Sequence, residues 1–345
     1  MSAEERRNAI VEVTTEDPIQ EWGVCRIKEE LRMESIHISC HEIQEFRKQQ
    51  NPDEAKRRWS GASKIVRKTL FSSGSNEEWC MDGHEKLREP MGIDVWGICD
   101  KFSRYELGLW AVPNARRSEV PVALFLRVVR ERQGVPLQLT GDKGSENGKV
   151  SMVQTTLWTM FAPSLSVEMI PPARLVRSIR NITRERNWRP IWEKELKNVL
   201  EAWRSGQLDI GYEHGNEFHR ELATWLWARL VQTRLDRLRE RQAHHQIRLQ
   251  RKVLLPTGGT PYNFYHAPWR YQGENMLIKI PESQMSEFDE VCEENAAEKF
   301  LQFGDDESVL LFEALYTDLR APKLTLTTTW IVWRGVVDLF ESVSR

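Results

Sequence analysis

The sequence predicts a mixed α/β fold, with a helical region before the sheet and a longer helical region after it. Three short segments rich in β-branched and aromatic residues, separated by Gly and Pro, run from Trp79 to Pro113. A helix, strand, helix, strand, helix alternation then continues to Gly206, which is typical of a mixed sheet flanked by helices. At 345 residues, the chain can form one large domain or two to three smaller ones.

The N-terminal region has the outline of a helix-turn-helix. Between residues 20 and 50, apolar positions recur at helical spacing on both sides of a short turn. Ser39 has the chemistry of an N-cap, and Glu42 three residues later completes a capping box. Residues 51–78 are predicted to be a basic connector that ends in a Ser/Gly linker.

Each element of the sheet region is predicted from the spacing of its apolar residues and from the Gly and Pro residues that bound it. The predicted strands are residues 79–87, 91–103, 105–113, 135–142 and 166–170, and the predicted helices are 118–134, 148–163 and a pair within 173–206. That last pair is expected to be broken near Pro190, because proline disrupts a helix interior. A further long helix is expected over 216–251, followed by a small acidic region. We therefore predict three regions, 1–72, 73–205 and 206–345.

Composition narrows the class of protein. The net charge of the chain is −2, but the charge is unevenly distributed. The segment from Arg174 to Lys252 contains 18 Lys/Arg and 10 Asp/Glu, whereas the segment from Val253 to Arg345 contains 7 Lys/Arg and 15 Asp/Glu. The basic block favours a phosphate-rich partner. No apolar run reaches the length of a membrane span, and five cysteines without a CxxC motif argue against a disulfide framework. An intracellular protein is expected, since the first residues lack a signal peptide.

Three acids stand where a divalent-metal site could form. Asp82 lies in the first predicted strand, Asp142 follows the fourth, and Glu185 lies in a predicted helix. In a ribonuclease H-like sheet, the first strand is central and the fourth pairs beside it, so these positions converge. Three oxygen ligands there can hold two Mg²⁺ or Mn²⁺ ions about 3.5–4 Å apart, which suits attack at a phosphodiester.

Each acid also has an ordinary interpretation. Asp82 precedes Gly83 and could belong to a turn, and Glu185 stands between two arginines and could form a surface ion pair. Asp94 and Asp100 are rival acids, although Asp100 looks more like a residue that closes a hairpin. Position alone therefore leaves the metal site and the structural alternatives open.

Four phrases in order resemble the integrase catalytic core, the DDE recombinase type of retroviruses and retrotransposons, and most of all the fungal proteins that contain an integrase core domain. They are WCMDGHEKL, GIDVWGICDKFSRY, GDKGSENG and SIRNITRERNW, between about Trp79 and Trp192. Carried over phrase by phrase, the resemblance implies that Asp82, Asp142 and Glu185 are the catalytic carboxylates and bind Mg²⁺ or Mn²⁺. The interval from Asp142 to Glu185 is somewhat longer than the retroviral one.

Basic and amide side chains around Glu185 are predicted to contact DNA. Arg184, Arg186 and Arg189 could bind phosphates, while Asn181 lies on the same helix face as Glu185 and could orient it or touch a phosphate. Solvated arginines paired with nearby glutamates are an equally good interpretation. Trp188 and Trp192 are expected to be core residues rather than base-stacking platforms, and His84 is expected at the surface.

The resemblance implies a polynucleotidyl transferase that cleaves and joins DNA strands, works as a homo-oligomer and acts in the nucleus. The alternative is a domesticated, catalytically inactive DNA-binding protein of the same fold. That doubt comes from GHEKL, where the family commonly has a tyrosine and an aspartate, and from the acidic C-terminal region. A nuclease of the same fold without a joining step is a third possibility.

Overall fold

Two compact units make up the chain, Met1–Thr69 and Leu70–Arg345. The computed structural model describes residues 1–15, 24–50, 70–176, 181–207, 210–251 and 253–343. Most of the connector predicted over 51–78 lies outside the described residues. The residues of the sheet and those of the extension predicted from residue 206 both fall in the second unit.

The described residues of the N-terminal unit form three helices, α1 (Ala3–Thr15), α2 (Val24–Met33) and α3 (Cys40–Gln50). Their buried apolar side chains form one core, which includes Ile10, Ile27 and Ile43. The predicted cap is present, because Ser39 Oγ accepts a hydrogen bond of 3.2 Å from the Glu42 backbone N–H. The Glu42 carboxylate accepts from Arg6 Nε at 2.7 Å. The predicted helix-turn-helix is thus observed, and α1 packs with it as a third helix that was not predicted.

A five-stranded mixed sheet organises the second unit. In chain order its elements are β1 (Gly74–Ser75), β2 (Glu78–His84), α4 (Arg88–Met91), β3 (Asp94–Asp100), β4 (Glu106–Val112), α5 (Glu119–Arg132), β5 (Gly134–Val135), β6 (Gln138–Asp142), α6 (Asn147–Phe161), β7 (Ala173–Val176), α7 (Ile182–Ile191), α8 (Lys197–Gly206) and α9 (Glu217–Ala243). The strand order is β4-β3-β2-β6-β7. The central strand β2 runs antiparallel to β3 and parallel to β6. The predicted ribonuclease H-like mixed sheet is confirmed.

Three elements differ from the sequence-based prediction. The long helix expected over 216–251 ends at Ala243. Residues 166–170, predicted as a strand, contain turns, and the fifth strand is β7. The break predicted near Pro190 is instead a π-helical segment, Trp192–Leu196, that joins α7 to α8. Proline has no N–H to donate to the helix, and a widened turn after it accommodates the lost hydrogen bond without ending the helix.

The sheet has a helical layer on each face. One face, with Trp79, Met81, Trp96 and Ile98, forms an apolar core that also includes buried residues of α5 and α6. The opposite face contributes Val95 and Leu109 to a second core with residues of α7, α8 and α9. Because side chains alternate along a strand, β3 and β4 supply both cores.

The C-terminal part is joined to the sheet by backbone pairing and by side-chain hydrogen bonds. Its elements are α10 (Pro261–His266), β8 (Glu274–Asn275), β9 (Ile278–Lys279), α11 (Met285–Glu294), α12 (Asp306–Asp318) and α13 (Thr329–Val343). Strand β8 pairs with β1, and β9 pairs with β5. The Asn76 Oδ1 atom accepts hydrogen bonds from Trp79 Nε1 at 2.9 Å and from Tyr265 Oη at 2.8 Å, and Asn76 Nδ2 donates to Asn275 Oδ1 at 2.8 Å. None of the described helices is long and apolar enough to cross a membrane.

Candidate active site

Two of the three predicted carboxylates lie at one edge of the sheet. Asp82 is near the end of β2, and Asp142 is the last residue of β6. These two strands are parallel neighbours, with Trp79 opposite Leu139, so their carboxyl ends meet at the same edge. The topology therefore brings Asp82 and Asp142 together, as the sequence predicted.

The third carboxylate comes from helix α7. Glu185 lies in the first turn of that helix, and its backbone N–H donates to the Asn181 carbonyl at 3.0 Å. Asp82, Asp142 and Glu185 line a single open cleft with a volume of about 720 Å³. One cleft thus receives an acid from each of three elements.

Burial and mutual repulsion change the acidity of this cluster. Burial raises the pKa of Asp82 to about 7, with further increases from the charges of Glu185 and Asp142, against hydrogen bonding by Trp188 and the charge of Arg184. Burial and the Asp142 charge also raise the pKa of Glu185. The charges of these carboxylates are therefore close enough to interact.

Trp188 holds the Asp82 carboxylate. Its indole Nε1 donates to Asp82 Oδ2 at 2.8 Å. Trp188 is 6% exposed and belongs to the core beneath α7, so the prediction of a core residue is confirmed. The sequence did not show its second role, because the hydrogen bond joins residues far apart in the chain. One Asp82 oxygen is thereby fixed by a buried donor.

Asp142 is held by the start of α6. Its Oδ1 atom accepts from Asn147 Nδ2 at 2.6 Å and from the Gly144 N–H at 3.1 Å. A Cβ atom at Gly141 would lie 3.1 Å from Asn147 Cγ and 3.0 Å from Met81 Cε. Glycine at 141 therefore allows the close approach of the strand and the helix that brings Asn147 to Asp142.

Arg184 is not a surface residue, and its predicted role as a DNA contact is wrong. Its side chain is 0% exposed and donates from Nη1 to both Glu106 oxygens, at 2.7 and 2.5 Å. The guanidinium carbon lies 3.9 Å from the centroid of the Trp188 ring. At Gly97, opposite Asp82 in the sheet register, a Cβ atom would lie 2.1 Å from Arg184 Nη2. Glycine at 97 leaves the space that the buried arginine occupies.

Asn181 is also buried, at 2% exposure, which excludes the predicted contact with a phosphate at the surface. Its Nδ2 atom donates to the Met81 carbonyl at 2.9 Å, so it ties the start of α7 to β2 one residue before Asp82. The alternative prediction, that the Asn181 side chain orients Glu185, stays a prediction. Arg186 and Arg189 are exposed, and Arg189 pairs with Glu193 at 2.8 Å. These two arginines remain candidates for DNA contacts.

The rival acids have structural partners. Asp94 is 0% exposed, forms an ion pair with Arg88 and accepts from the Ala115 N–H at 2.7 Å. Asp100 is 0% exposed and accepts from the Asn76 N–H at 2.7 Å and from Ser103. Neither lines the cleft, so both acids stabilise turns and strand ends.

Two further residues of the cleft differ from their sequence-based interpretation. His84, expected at the surface, is 9% exposed, and its ring centroid is 5.0 Å from that of Trp188. Burial lowers the pKa of His84 to about 4, with further lowering from Lys86 and Arg184, so its imidazole is neutral at pH 7. Trp192, expected in the core, packs against the core but is partly exposed and lines the cleft. Both residues lie next to the carboxylates.

The cleft offers the donors that Mg²⁺ or Mn²⁺ prefers. All three acids supply hard oxygen atoms, and a bound cation would favour the charged form of Asp82, whose pKa is raised by burial first and by the neighbouring acids next. Among the described residues, no three His, Cys, Asp or Glu side chains are already arranged as a metal site. The donor set thus fits a divalent cation, although the carboxylates would need to move together to bind one.

The comparison with protein families agrees with the geometry. A family model described as "Integrase core domain" matches residues 71–267, which is more than half of the chain. No curated protein matches. A cryoEM structure of the simian T-cell lymphotropic virus intasome in complex with PP2A regulatory subunit B56 gamma is similar at 11% identity and a TM-score of 0.35, over 70% of this chain and 71% of that chain. On the strength of the family match and the order of strands, this chain belongs to the integrase core domain family.

Proposed function

We propose that the protein is an integrase- or transposase-like polynucleotidyl transferase, which cleaves and joins DNA strands with divalent metal held by Asp82, Asp142 and Glu185. The observation that carries this proposal is that these three acids, from β2, β6 and α7, line one cleft of an integrase core. Arrangement as a homo-oligomer, and action on chromosomal DNA in the nucleus, are parts of the same proposal.

The chain's own residues would orient the reactants. Trp188 and Asn147 each donate a hydrogen bond to one oxygen of Asp82 and Asp142, respectively, which fixes the orientation of these two carboxylates in the cleft. When bound, the divalent cations would activate a water or a 3′-hydroxyl and stabilise the leaving oxygen of the phosphodiester. Arg186 and Arg189, exposed on the helix that carries Glu185, would contact the phosphates that flank the cleavage position.

The first experiment measures metal binding, because it needs no knowledge of the DNA ends. Thermal unfolding would be followed with and without millimolar Mn²⁺ for the parent protein and for Asp142→Asn. A cation that binds the native state raises the midpoint of unfolding. We expect a rise for the parent, a much smaller rise for Asp142→Asn, and an unchanged rise for Asp318→Asn, an exposed acid on α12.

An equal rise for all three proteins would show that Mn²⁺ binds elsewhere and would contradict the proposed metal site. No rise in any of them, together with salt-sensitive binding of duplex DNA, would favour the alternative of an inactive DNA-binding protein. A positive result would then justify strand-transfer assays, in which a 3′-hydroxyl end and water compete as nucleophiles and thereby separate joining from hydrolysis.

A further inference from the structure

We propose that Trp192, His84 and Lys86, which we call the aromatic wall, form a binding subsite for a nucleobase of the DNA strand whose phosphate lies at the carboxylates. This inference rests on the proposed function, because it assigns the region of the same cleft beyond the three acids. All three residues line the cleft together with Asp82, Asp142 and Glu185.

Trp192 has a ring face that a ligand can reach. One part of the side chain packs against the core, but the residue is partly exposed, and the Lys86 Nζ atom lies 4.7 Å from the ring centroid. Lys86 is exposed, and a flexible ammonium can leave the ring for a phosphate nearby. Trp192 also begins the π-helical segment, a widened turn of a kind that often occurs at functional sites.

His84 supplies an unused polar atom beside that ring. Its side chain is 9% exposed, and Nδ1 is buried without a hydrogen-bond partner among the described residues. The His84 ring centroid lies 5.7 Å from that of Trp192. A buried polar atom without a partner is unfavourable, so a turn of the imidazole that presents this nitrogen to a hydrogen-bonding ligand edge in the cleft would be stabilised.

A nucleobase is complementary to the two features of the aromatic wall, the Trp192 ring and the His84 ring nitrogen. It has a flat face that stacks on tryptophan and a polar edge that can bond an imidazole nitrogen. The charges at the rim are compatible with the strand that would carry the base. Glu193 is paired with Arg189, and Glu85 accepts hydrogen bonds from Arg116, while Lys86 has no paired acid among the described residues.

The experiment compares two strands that differ only in their bases. Fluorescein-labelled oligothymidylate and an abasic deoxyribose-phosphate strand of equal length would be titrated by anisotropy in Ca²⁺ buffer. We expect the parent to bind oligothymidylate more tightly. Trp192→Leu should reduce that preference about five- to tenfold, because stacking is lost, while binding of the abasic strand stays unchanged. Trp269→Leu is the matched control, since Trp269 is 68% exposed and does not line the cleft.

A preference for bases that survives Trp192→Leu, or no preference in the parent, would overturn the subsite. If Trp192→Leu does not fold, ultraviolet crosslinking of a 5-iodouracil strand to the parent supplies the second test. The crosslink is expected at Trp192 or His84, and a crosslink that maps only outside the cleft would overturn the subsite. Because the Mn²⁺ shift at Asp142 is measured separately, failure of the subsite is distinguishable from failure of the proposed function.

Discussion

The two faces of the central sheet are built from the same strands but differ in how much buried charge they carry. On one face, Trp79, Met81 and Ile98 are all buried among other apolar side chains. On the other face, Val95 and Leu109 belong to a second apolar core, but beside Asp82 its cross-strand partner Gly97 leaves the space that the buried Arg184 occupies. The apolar regions stabilise the fold by excluding water, whereas the polar region beside Asp82 is stable only while its charges remain paired. A fold can thus contain a destabilising site on one side of a strand, because apolar packing on the other side offsets the lost stability.

Removing the carboxylate of Glu106 is expected to have the largest effect. Glu106→Ala would leave the 0%-exposed Arg184 charge without its partner, and breaking a buried pair costs about 3–5 kcal/mol. Urea unfolding would measure this loss. Ile98→Val on the apolar face is the control and should cost only about 0.5–1.5 kcal/mol. Similar losses on both faces would contradict the comparison.

The second prediction concerns pH. The pKa of Asp82 is raised to about 7 from an ordinary value of 3.8 by burial first and by neighbouring acids next. Between those two pH values the native state retains a proton that the unfolded chain has lost, so the free energy of unfolding falls as the pH rises from about 4 to 7. Asp82→Asn removes this penalty. In EDTA, it should therefore be more stable than the parent at pH 8, by on the order of a few kcal/mol, and equal near pH 4.

Urea unfolding of parent and Asp82→Asn across that pH range measures the difference. A constant difference from pH 4 to 8 would show that the Asp82 carboxyl titrates at its ordinary pKa. The Asp318→Asn variant, which removes an exposed carboxyl on α12, is the control for the substitution itself.

Two glycines on opposite faces give a third and smaller contrast. An added Cβ at Gly97 would meet the Arg184 guanidinium at 2.1 Å, whereas at Gly83 it would meet the Trp96 ring and Ala115 at 3.1 Å. We expect Gly97→Ala to cost about 1–3 kcal/mol through overpacking, and Gly83→Ala to cost less. Thermal unfolding of the two variants checks the order, and a reversed order would mean that Arg184 moves more easily than Trp96.

The smallest effect on the fold is expected from Trp188→Phe, which keeps an aromatic ring but removes the 2.8 Å hydrogen bond to Asp82. Its stability should fall by about 1–2 kcal/mol. The Mn²⁺-induced rise in the unfolding midpoint should be smaller for Trp188→Phe than for Trp192→Phe, because of the two tryptophans Trp188 is the one that donates a hydrogen bond to Asp82. Equal rises in both variants would mean that Asp82 needs no such support.

The sequence predicted the parts of this arrangement that depend on local pattern. Asp82 and Asp142 follow strands whose composition is recognisable, and their meeting follows from strand order. The Arg184–Glu106 pair was missed because a buried ion pair between distant elements leaves no local signal, and an arginine between polar neighbours resembles a surface residue. Strand β7 was missed because its residues are mostly half-exposed or exposed, so no clear alternation marks Ala173–Val176. Pro190 predicted a disruption of the helix, but the sequence did not predict that the helix would continue through a π-helical segment.

The position of α13 in the chain has a consequence for folding during translation. Trp333 and Val336, close to the end of the chain, are buried in the same core as Val95 and Leu109 of the sheet. The ribosome therefore releases β2, β3 and β4 long before the residues that cover one of their faces. Until α9 and α13 have both emerged, the core on that face is incomplete, and nascent chains stalled near residue 206 should be captured by chaperones more than those in which α13 has emerged.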